Sequence, residues 1–495
     1  MFLDRLSAYQ AIDLVKRKQI TVSEILQDII KRIEQVEESV KAFLTLNLKE
    51  ALQEAKYFDQ KINLGEEIPP YVGMMIAVKD NIVTKGIETT CGSRILKGFY
   101  PPYNATVIEK LKEAGAIIIG KTNLDEFAMG SSTENSAYQV TRNPWALSRV
   151  PGGSSGGSAA AVVADETQVA LGTDTGGSIR QPASFCGIVG LKPTYGRVSR
   201  YGLIAFASSL DQIGPLAKNV KDCALLMNII SGSDNRDSTS QDIEVPNYLN
   251  YCQEGLENIK IGIPREYFQE KMDGEVKEAF DKSLLILERM GAKIEEISLP
   301  HTAYSLPTYY LIANAEASSN LARYDGIQYG YRTQDFHNLF SLYCKTRSEG
   351  FGKEVKRRIL LGTYALSSGY YDAYYLKAQK ARTLIREDFN QTFKKIDLIL
   401  TPTSPTPAFK LGEKITDPLM MYLSDIFTIP VNLAGLPALS INCGFNQEGL
   451  PIGLQIIGSP FEEGKIIKVA YNFEQQNEIE KKKPSIGEIR KKKEK

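Results

Sequence analysis

The sequence predicts a layered α/β protein, and two stretches carry the prediction. "NATVIEKLKEAGAIIIGKTN" (104–123) has the pattern of a helix, a glycine stop and a buried strand. The stretch 151–180 alternates a glycine loop, an alanine-rich helix, an apolar strand and a second glycine loop. Alternation of this kind is typical of a sheet covered by helices. With 495 residues, 43% of them apolar, the chain is long enough to bury a large core.

The N-terminal segment, about 1–65, is predicted to be helical. Thr21 and Glu24 have the capping-box spacing, and five apolar residues then recur at helical spacing: Ile25, Leu26, Ile29, Ile30 and Ile33. The next apolar run, "YVGMMIAVKDNI" (71–82), is short enough for a buried strand and contains Lys79.

The central segment contains the two glycine loops. Between them we predict a helix over about 155–164 and a strand near "QVALGTD", and after them a short helix from Ser178. The polar stretch "SGSDNRDSTSQD" (231–242) is rich in turn-forming residues, so it is predicted to be a loop between two lobes.

The C-terminal half is predicted to add further strands. "IKIGIPREYF" (259–268) and "KIDLILTPTSP" (395–405) each contain one, and "NQEG" joins 436–445 to 451–460 as a hairpin. The last stretch, 480–495, has eight positive and three negative charges. A frayed, solvated end is the favoured interpretation, and contact with RNA or a partner is the alternative.

Composition excludes several classes of function. Lys+Arg and Asp+Glu both number 59, so the net charge of zero gives no bulk attraction to nucleic acid or to an acidic membrane. The N-terminus lacks the apolar core of a signal peptide, and no apolar run is long enough to span a membrane. The six cysteines lack metal-binding or redox spacing, so we expect reduced, mostly buried thiols. The cytoplasm is the expected location, with an organelle matrix as the alternative.

The serine-rich stretch raises the question of which group removes a proton from a nucleophilic serine. Residues 152–156 match G-x-S-x-G around Ser154, but that motif must follow a strand, and "RNPWALSRVP" does not resemble one. The two histidines, His301 and His337, have flanks that suggest incidental positions. Neither glycine loop has the lysine of a phosphate-binding P-loop. A base other than histidine is therefore required.

Lys79 is the candidate base. An ordinary lysine has a pKa of about 10.4, and complete burial lowers the pKa by up to 3–5 units. The apolar run before Lys79 would bury it; the competing interpretation is a lysine at a strand end that extends to water.

The second glycine loop (173–178) is suited to an oxyanion hole, because glycines let backbone N–H groups converge on one point. A structural turn with capping serines is the alternative and, for this motif alone, the commoner case.

The stretch 151–180 and "VGMMIAVKDNI" resemble the catalytic blocks of the amidase signature family, which has a Ser-Ser-Lys triad. Further stretches, among them 118–145, 315–330, 354–364 and 424–440, resemble the glutaminase components of tRNA-dependent amidotransferases within that family. The resemblance covers nearly the whole chain. It implies a large mixed central β-sheet covered by α-helices on both faces, in a single domain over 1–480. The catalytic core would be about 66–230, and the remainder (about 243–480) would complete the sheet and the pocket. The basic tail, 481–495, has no counterpart in the family and is expected to be disordered because of its run of charges.

The resemblance also implies roles for individual residues. Ser178 would be the nucleophile, Ser154 the bridging serine after a cis peptide bond from Gly153, and Lys79 the base. The oxyanion donors would be the backbone N–H groups of Thr175, Gly176, Gly177 and Ser178. For free glutamine, Arg358 would bind the α-carboxylate and Asp425 the α-ammonium, with Met129, Gly130 and Ser131 lining the pocket.

The implied function is a glutaminase component that supplies ammonia through a Ser178 acyl-enzyme. Partner subunits B and C of a heterotrimer would use ATP and Mg²⁺ to amidate Glu-tRNA(Gln), Asp-tRNA(Asn) or both, so this chain would need no cofactor or metal of its own. Most contact with tRNA would be made by the partners. Two alternatives remain: a stand-alone amidase of the same family acting on another amide, and an inactive scaffold.

Overall fold

The computed structural model describes residues 3–256, 258–268, 272–476 and 482–486. The helices are α1 Ala8–Lys16, α2 Val22–Val40, α3 Leu48–Leu64, α4 Thr106–Glu113, α5 Gly156–Val163, α6 Arg180–Cys186, α7 Val220–Ile230, α8 Gly274–Arg289, α9 Ser305–Asn320, α10 Leu339–Gly350, α11 Lys353–Leu366, α12 Lys377–Thr392, α13 Pro418–Tyr422, α14 Ile429–Ala434 and α15 Glu463–Gln476. The strands are β1 Phe43–Leu46, β2 Met75–Lys79, β3 Ile117–Thr122, β4 Val169–Asp174, β5 Val189–Lys192, β6 Gln212–Ala217, β7 Lys260–Pro264, β8 Lys293–Ile297, β9 Leu398–Pro402, β10 Ala438–Phe445 and β11 Pro451–Gly458.

All eleven strands of the described residues join one sheet, in the order β1-β3-β2-β4-β6-β5-β10-β11-β9-β7-β8. Strand β2 runs parallel to β3 and β4, and β7 runs parallel to β8 and β9. The remaining pairs are antiparallel, among them the β10–β11 hairpin. The predicted mixed sheet and the predicted hairpin are both confirmed.

Helices cover both faces of the sheet, and the side chains of β2 show how the two faces separate. Ile76 and Val78 pack into a core with α4, α7, α8 and α15, whereas Met75 and Ala77 pack into a second core with α2 and α5. Because successive strand residues point to opposite faces, Lys79 leaves the sheet on the side of α5. At the far end of the sheet a third core, under α9, α12 and α14, covers one face of β9 through Ile399.

The structure changes three predictions about elements. Helix α6 begins at Arg180, two residues later than predicted, so Ser178 precedes the helix. The loop 231–242 connects α7 to β7, and both pack in or against the same sheet, so it does not divide the sheet into lobes. Within the basic tail, Ile486 is buried and its carbonyl accepts a hydrogen bond from Arg32 at 3.2 Å, so this part packs against α2 and is not fully solvated; 481 and 487–495 lie outside the described residues.

The predicted thiols are confirmed: all six cysteines are free, and Cys91, Cys186, Cys223 and Cys443 are buried. In the described ranges of the chain, no helix has both the length and the apolar composition of a membrane span.

Candidate active site

Lys79 ends β2 and is fully buried beside the start of α5. Its Nζ lies 2.8 Å from Ser154 Oγ, 2.9 Å from Ser155 Oγ and 2.8 Å from Thr173 Oγ1. Burial lowers the pKa of Lys79 to about 7, although the carboxylates of Asp125, Asp174 and Asp211 act in the opposite direction. A large fraction of this amine is therefore neutral near neutral pH, as the candidate base requires.

The partners of Lys79 show where its lone pair can point. Ser155 Oγ donates its own proton to the carbonyl of Thr173 at 3.0 Å, so it can only accept from Lys79. A neutral amine has two N–H groups; Ser155 Oγ can accept one, and the hydroxyl or the carbonyl of Thr173, 2.8 and 3.3 Å from Nζ, can accept the other. The lone pair is then left for the hydroxyl proton of Ser154.

Ser154 follows a cis peptide bond from Gly153, as the family resemblance implies. The N–H of Gly153 donates to Gln181 Oε1 at 2.9 Å, and Gln181 Nε2 donates to the carbonyl of Ser131 at 2.9 Å. A Cβ on Gly153 would lie 2.2 Å from Asp125 Oδ2, so only glycine fits. This packing holds the Ser154 loop against the loop that contains Ser131.

Ser178 stands at the end of the second glycine loop and is half-buried, whereas Lys79 and Ser154 are fully buried. Its backbone carbonyl accepts from the N–H of Ser155 at 3.2 Å, which brings the two glycine loops together. Among the described residues no hydrogen bond joins Ser154 Oγ to Ser178 Oγ. Ser178 is thus the one member of the predicted triad that is partly exposed.

The second glycine loop is packed too closely for side chains. A Cβ on Gly176 would lie 2.7 Å from the ring of Tyr309 on α9, and one on Gly177 would lie 2.2 Å from Thr428 Oγ1. Gly177 also has a φ of +138°, which side-chain-bearing residues rarely adopt. The loop is therefore packed against α9 and the start of α14.

One predicted oxyanion donor needs correction. The N–H of Gly177 donates to Asp174 Oδ1 at 2.8 Å, so it is engaged inside the protein. The N–H groups of Thr175, Gly176 and Ser178 have no such partner among the described residues and stay candidates for the oxyanion.

A buried ion pair supports this loop from behind. Asp174 accepts from Arg180 Nε and Nη2, both at 3.1 Å, from the N–H of Ile179 at 3.1 Å and from Asn432 Nδ2 at 2.9 Å. Burial disfavours the Asp174 carboxylate, but Arg180, Lys192 and Asn432 together outweigh burial and hold the pKa of Asp174 well below its ordinary value. Asp174 is thus ionised, and its carboxylate holds the loop in place.

Replacing Asp174 with asparagine should lower the free energy of unfolding by about 3–5 kcal/mol, because the change leaves the buried charge of Arg180 unpaired. Urea unfolding of the two proteins measures the difference. Asp281→Asn is the matched control: its exposed pair with Lys277, at 2.7 Å, should contribute less than about 1 kcal/mol. Equal losses in the two variants would contradict a structural role for the Asp174–Arg180 pair.

Arg358 lies on α11 and is almost completely buried. Its Nε donates to Glu354 Oε1 at 2.9 Å, and the rings of Phe206, Tyr310 and Tyr422 surround its guanidinium at 5.5–5.6 Å. Burial acts against its charge, but Glu354 and the neighbouring tyrosines together outweigh burial and raise the pKa of Arg358. Because Nε is held by Glu354, the two Nη groups are available for a carboxylate.

Asp425 faces the Ser131 loop and is buried. The Ser131 hydroxyl donates to Asp425 Oδ2, while Asp425 Oδ1 is buried without a hydrogen-bond partner among the described residues. Burial raises the pKa of Asp425 to about 7, only partly offset by the Ser131 hydrogen bond. Because Asp425 Oδ1 is buried without a hydrogen-bond donor, it is suited to accept from a cationic group of a ligand.

The structure brings some of the predicted pocket residues together. Gly130 and Arg358 line one small cavity of ≈ 30 Å³, together with Tyr422 and Lys414. Ser131 joins this region through Asp425. Met129 is fully buried, and a part for it in binding a substrate stays a prediction.

Sequence reasoning missed several supporting residues. Glu354 could have been predicted to pair with Arg358, since it stands four residues before Arg358 on one helix. Ser155, Gln181 and Asn432 could not have been predicted in this way, because their partners are distant in sequence. Of the two histidines treated as incidental, His301 pairs with Asp388 at 2.8 Å on the surface.

Comparison with known proteins agrees with this geometry. The amidase family model matches residues 24–467. The chain is 60% identical to the A component of Glutamyl-tRNA(Gln) amidotransferase from Carboxydothermus hydrogenoformans over 486 residues, which cover 98% of this chain and 100% of that protein. The corresponding component from Geobacillus thermodenitrificans is also 60% identical, over 96% of this chain and 97% of its own length.

Solved structures give the same result at the level of the fold. The crystal structure of the same amidotransferase component from Thermotoga maritima is similar with a TM-score of 0.82 and 45% identity, covering 98% of both chains. Native peptide amidase from Stenotrophomonas maltophilia has a TM-score of 0.82 at 28% identity, covering 97% of this chain and 99% of that one.

Proposed function

The chain belongs to the amidase family, and from this premise we propose that it is the glutamine-hydrolysing component of a tRNA-dependent amidotransferase. The observation that carries the proposal is the buried amine of Lys79, 2.8 Å from Ser154 Oγ and beside the glycine loop that ends in Ser178. Its relatives that are named as components of Glutamyl-tRNA(Gln) amidotransferase match along almost their whole length.

The first half of the reaction forms an acyl-enzyme. Neutral Lys79 accepts the proton of Ser154, and Ser154 accepts the proton of Ser178 as Ser178 Oγ attacks the side-chain carboxamide carbon of glutamine. The negative charge on the carboxamide oxygen is stabilised by N–H groups of the second glycine loop. The proton then returns through Ser154 to the amide nitrogen, the C–N bond breaks, and ammonia leaves.

The second half uses water. A water molecule gives its proton to the same relay and attacks the ester carbon, and the Ser178 oxygen recovers its proton as glutamate leaves. Each turnover thus converts one glutamine and one water into glutamate and ammonia.

Binding of free glutamine is assigned to the two charged groups of the pocket. The Nη groups of Arg358 would hold the α-carboxylate as a fork, and Asp425 Oδ1, which has no partner among the described residues, would accept from the α-ammonium. These two groups separate glutamine from simple amides, which have neither charge.

The ammonia is used elsewhere in the assembly. We assign the ATP- and Mg²⁺-dependent amidation of Glu-tRNA(Gln), Asp-tRNA(Asn) or both to partner subunits B and C of a heterotrimer, which would also make most of the contact with tRNA. For a bacterial chain this reaction belongs in the cytoplasm. The test is co-purification with the partners, followed by assays of glutamine-dependent transamidation on both charged tRNAs.

Replacing Arg358 with alanine should raise the KM for glutamine about 10- to 100-fold, because a charge-assisted hydrogen bond contributes about 1.5–3 kcal/mol. The rate with a neutral primary amide should change much less. Lys356→Ala is the control on the same helix. The Nζ of Lys356 donates to the carbonyl of Ser348 and is not assigned to glutamine, so this variant should leave the KM unchanged. Equal effects of Arg358→Ala on the two substrates would remove the glutamine assignment and favour a stand-alone amidase.

An inactive scaffold is the remaining alternative. It predicts no release of ammonia from glutamine in any combination of subunits. The geometry of the site argues against it, because the buried amine of Lys79 lies 2.8 Å from Ser154 Oγ, beside the glycine loop that ends in Ser178.

A further inference from the structure

The outer face of α11 and the turn that follows it expose an unusual number of large apolar side chains. Seven residues form this surface, which we call the tyrosine face: Leu360, Leu361, Tyr364, Tyr370, Tyr371, Tyr374 and Leu376. Leu360 is 70% exposed, and the other six are 37–49% exposed. Exposed apolar side chains scattered singly are ordinary, but a contiguous set marks a surface that another molecule covers.

The composition of the segment indicates what kind of molecule that is. Residues 359–376 contain a single charged residue, Asp372, whereas 24% of the whole chain is charged. Depletion of charge with enrichment in tyrosine is typical of the centre of a protein–protein interface. RNA and acidic membranes bind clustered lysine and arginine; here such residues stand at the two ends of the segment, Lys356 and Arg357 before it and Lys377 and Lys380 after it, and the segment between them has none.

The tyrosine rings support one another before any partner binds. The rings of Tyr364 and Tyr370 lie 4.5 Å apart, those of Tyr370 and Tyr374 lie 5.9 Å apart, and those of Tyr371 and Tyr375 lie 5.4 Å apart. Ring contacts of this kind reduce the freedom that the side chains would lose on binding.

A recess opens beside the tyrosine face. It has a volume of ≈ 300 Å³ and is lined by Ser208, Ala315, Glu316, Ser319, Asn320, Leu366 and Tyr375. Tyr375 belongs to this lining and also contacts Tyr371, so the recess and the tyrosine face are continuous. A ridge of rings next to a pocket suits a protein surface that contributes an apolar or amide side chain to the pocket.

We propose that the tyrosine face and its recess bind a companion protein of the amidotransferase. The inference rests on the proposed function, because relatives that are components of a larger enzyme supply the reason to expect a companion protein. The partner presents an uncharged, largely apolar patch with carbonyl groups that accept from the tyrosine hydroxyls.

The tyrosine face lies on the same helix as Arg358, on the opposite side. Helix α11 has Arg358 on its buried side and Leu361 on its exposed side, and it is packed tightly on α9: a Cβ on Gly362 would lie 1.9 Å from the carbonyl oxygen of Asn314. A protein docked on the outer face therefore sits about one helix diameter, roughly 10 Å, from the arginine assigned to glutamine.

The test compares two double variants. Leu360→Glu/Tyr371→Glu places two charges on the tyrosine face. Tyr57→Glu/Leu64→Glu places the same charges at two exposed positions of α3, which are 52% and 75% exposed. Binding of each purified protein to the co-expressed companion subunits of the same organism is measured by biolayer interferometry, and thermal unfolding verifies that the variants are folded.

The proposal predicts that Leu360→Glu/Tyr371→Glu weakens binding about tenfold or more, while the α3 variant binds like the unmodified chain. Equal Kd values for the two variants would overturn it. A change seen only in self-association, in binding to RNA or in binding to lipid vesicles would overturn it as well, by assigning the surface to another occupant. Glutamine hydrolysis is assayed separately. If the proposed function is wrong, no ammonia is released, and the comparison of the two Kd values still tests the docking surface.

Discussion

Replacing Lys79 with methionine should reduce kcat for glutamine hydrolysis about 10³-fold or more, because the relay loses its only base. Lys79→Arg should be equally inactive, since the guanidinium keeps its proton at all accessible pH values and cannot accept another. Ammonia release under saturating glutamine is the measurement. The arginine variant separates the two roles of a buried cation: a residue that acts only through positive charge would tolerate arginine.

The same residue predicts the pH dependence. The neutral amine is the active form, so kcat should rise with pH through an apparent pKa of about 7 and then level off. Asp425 also has a pKa of about 7, but bound α-ammonium holds it ionised at saturating glutamine, so kcat reports Lys79. A kcat that is unchanged between about pH 6 and 8 would contradict a neutral lysine base.

Replacing Ser178 with alanine should remove glutamine hydrolysis, with a loss of about 10⁴-fold or more, because no acyl-enzyme can form. Ser184→Ala is the control. Ser184 is a buried serine on the following helix, α6, and it packs against β11, where a Cβ built on Gly453 would lie 2.4 Å from its Oγ. That variant should keep most of the activity, because its hydroxyl takes no part in the proton relay.

The position of the acyl group distinguishes Ser178 from the G-x-S-x-G serine. Acid quenching during turnover, followed by mass spectrometry, should find the γ-glutamyl group on Ser178. Trypsin leaves Ser154 and Ser178 on one peptide, because no lysine or arginine lies between them. Cleavage at Asp165 and Asp174 separates the two serines, and a label on Ser154 would assign the nucleophile to the other glycine loop.

The periodicity of the sequence does not predict the proposed docking surface on α11. Helical spacing identifies an apolar stripe on a helix, as it did for Ile25 to Ile33, and such a stripe ordinarily packs against the core. On α11 the residues that face outward include Leu360 and Leu361, and the buried positions are Val355, Arg358, Gly362 and Ala365. Only the packing of α11 on α9 decides which of its apolar residues are left uncovered.

The sequence by itself determined the α/β class, the glycine loops, the strand ending in Lys79 and the β10–β11 hairpin. These features depend on local periodicity, on glycine and on turn chemistry, which act over a few residues. The sequence also argued against a histidine base, because the residues around His301 and His337 do not resemble an active-site loop.

Tertiary structure alone decided how the site is assembled. Lys79 and Ser154 are 75 residues apart in sequence, Asp174 and Asn432 are 258 apart, and Ser131 and Asp425 are 294 apart. No local pattern encodes these pairs, since they exist only after the strands have taken their order in the sheet. The same closure buries Lys79 and lowers its pKa, because desolvation depends on every chain segment that excludes water from the amine.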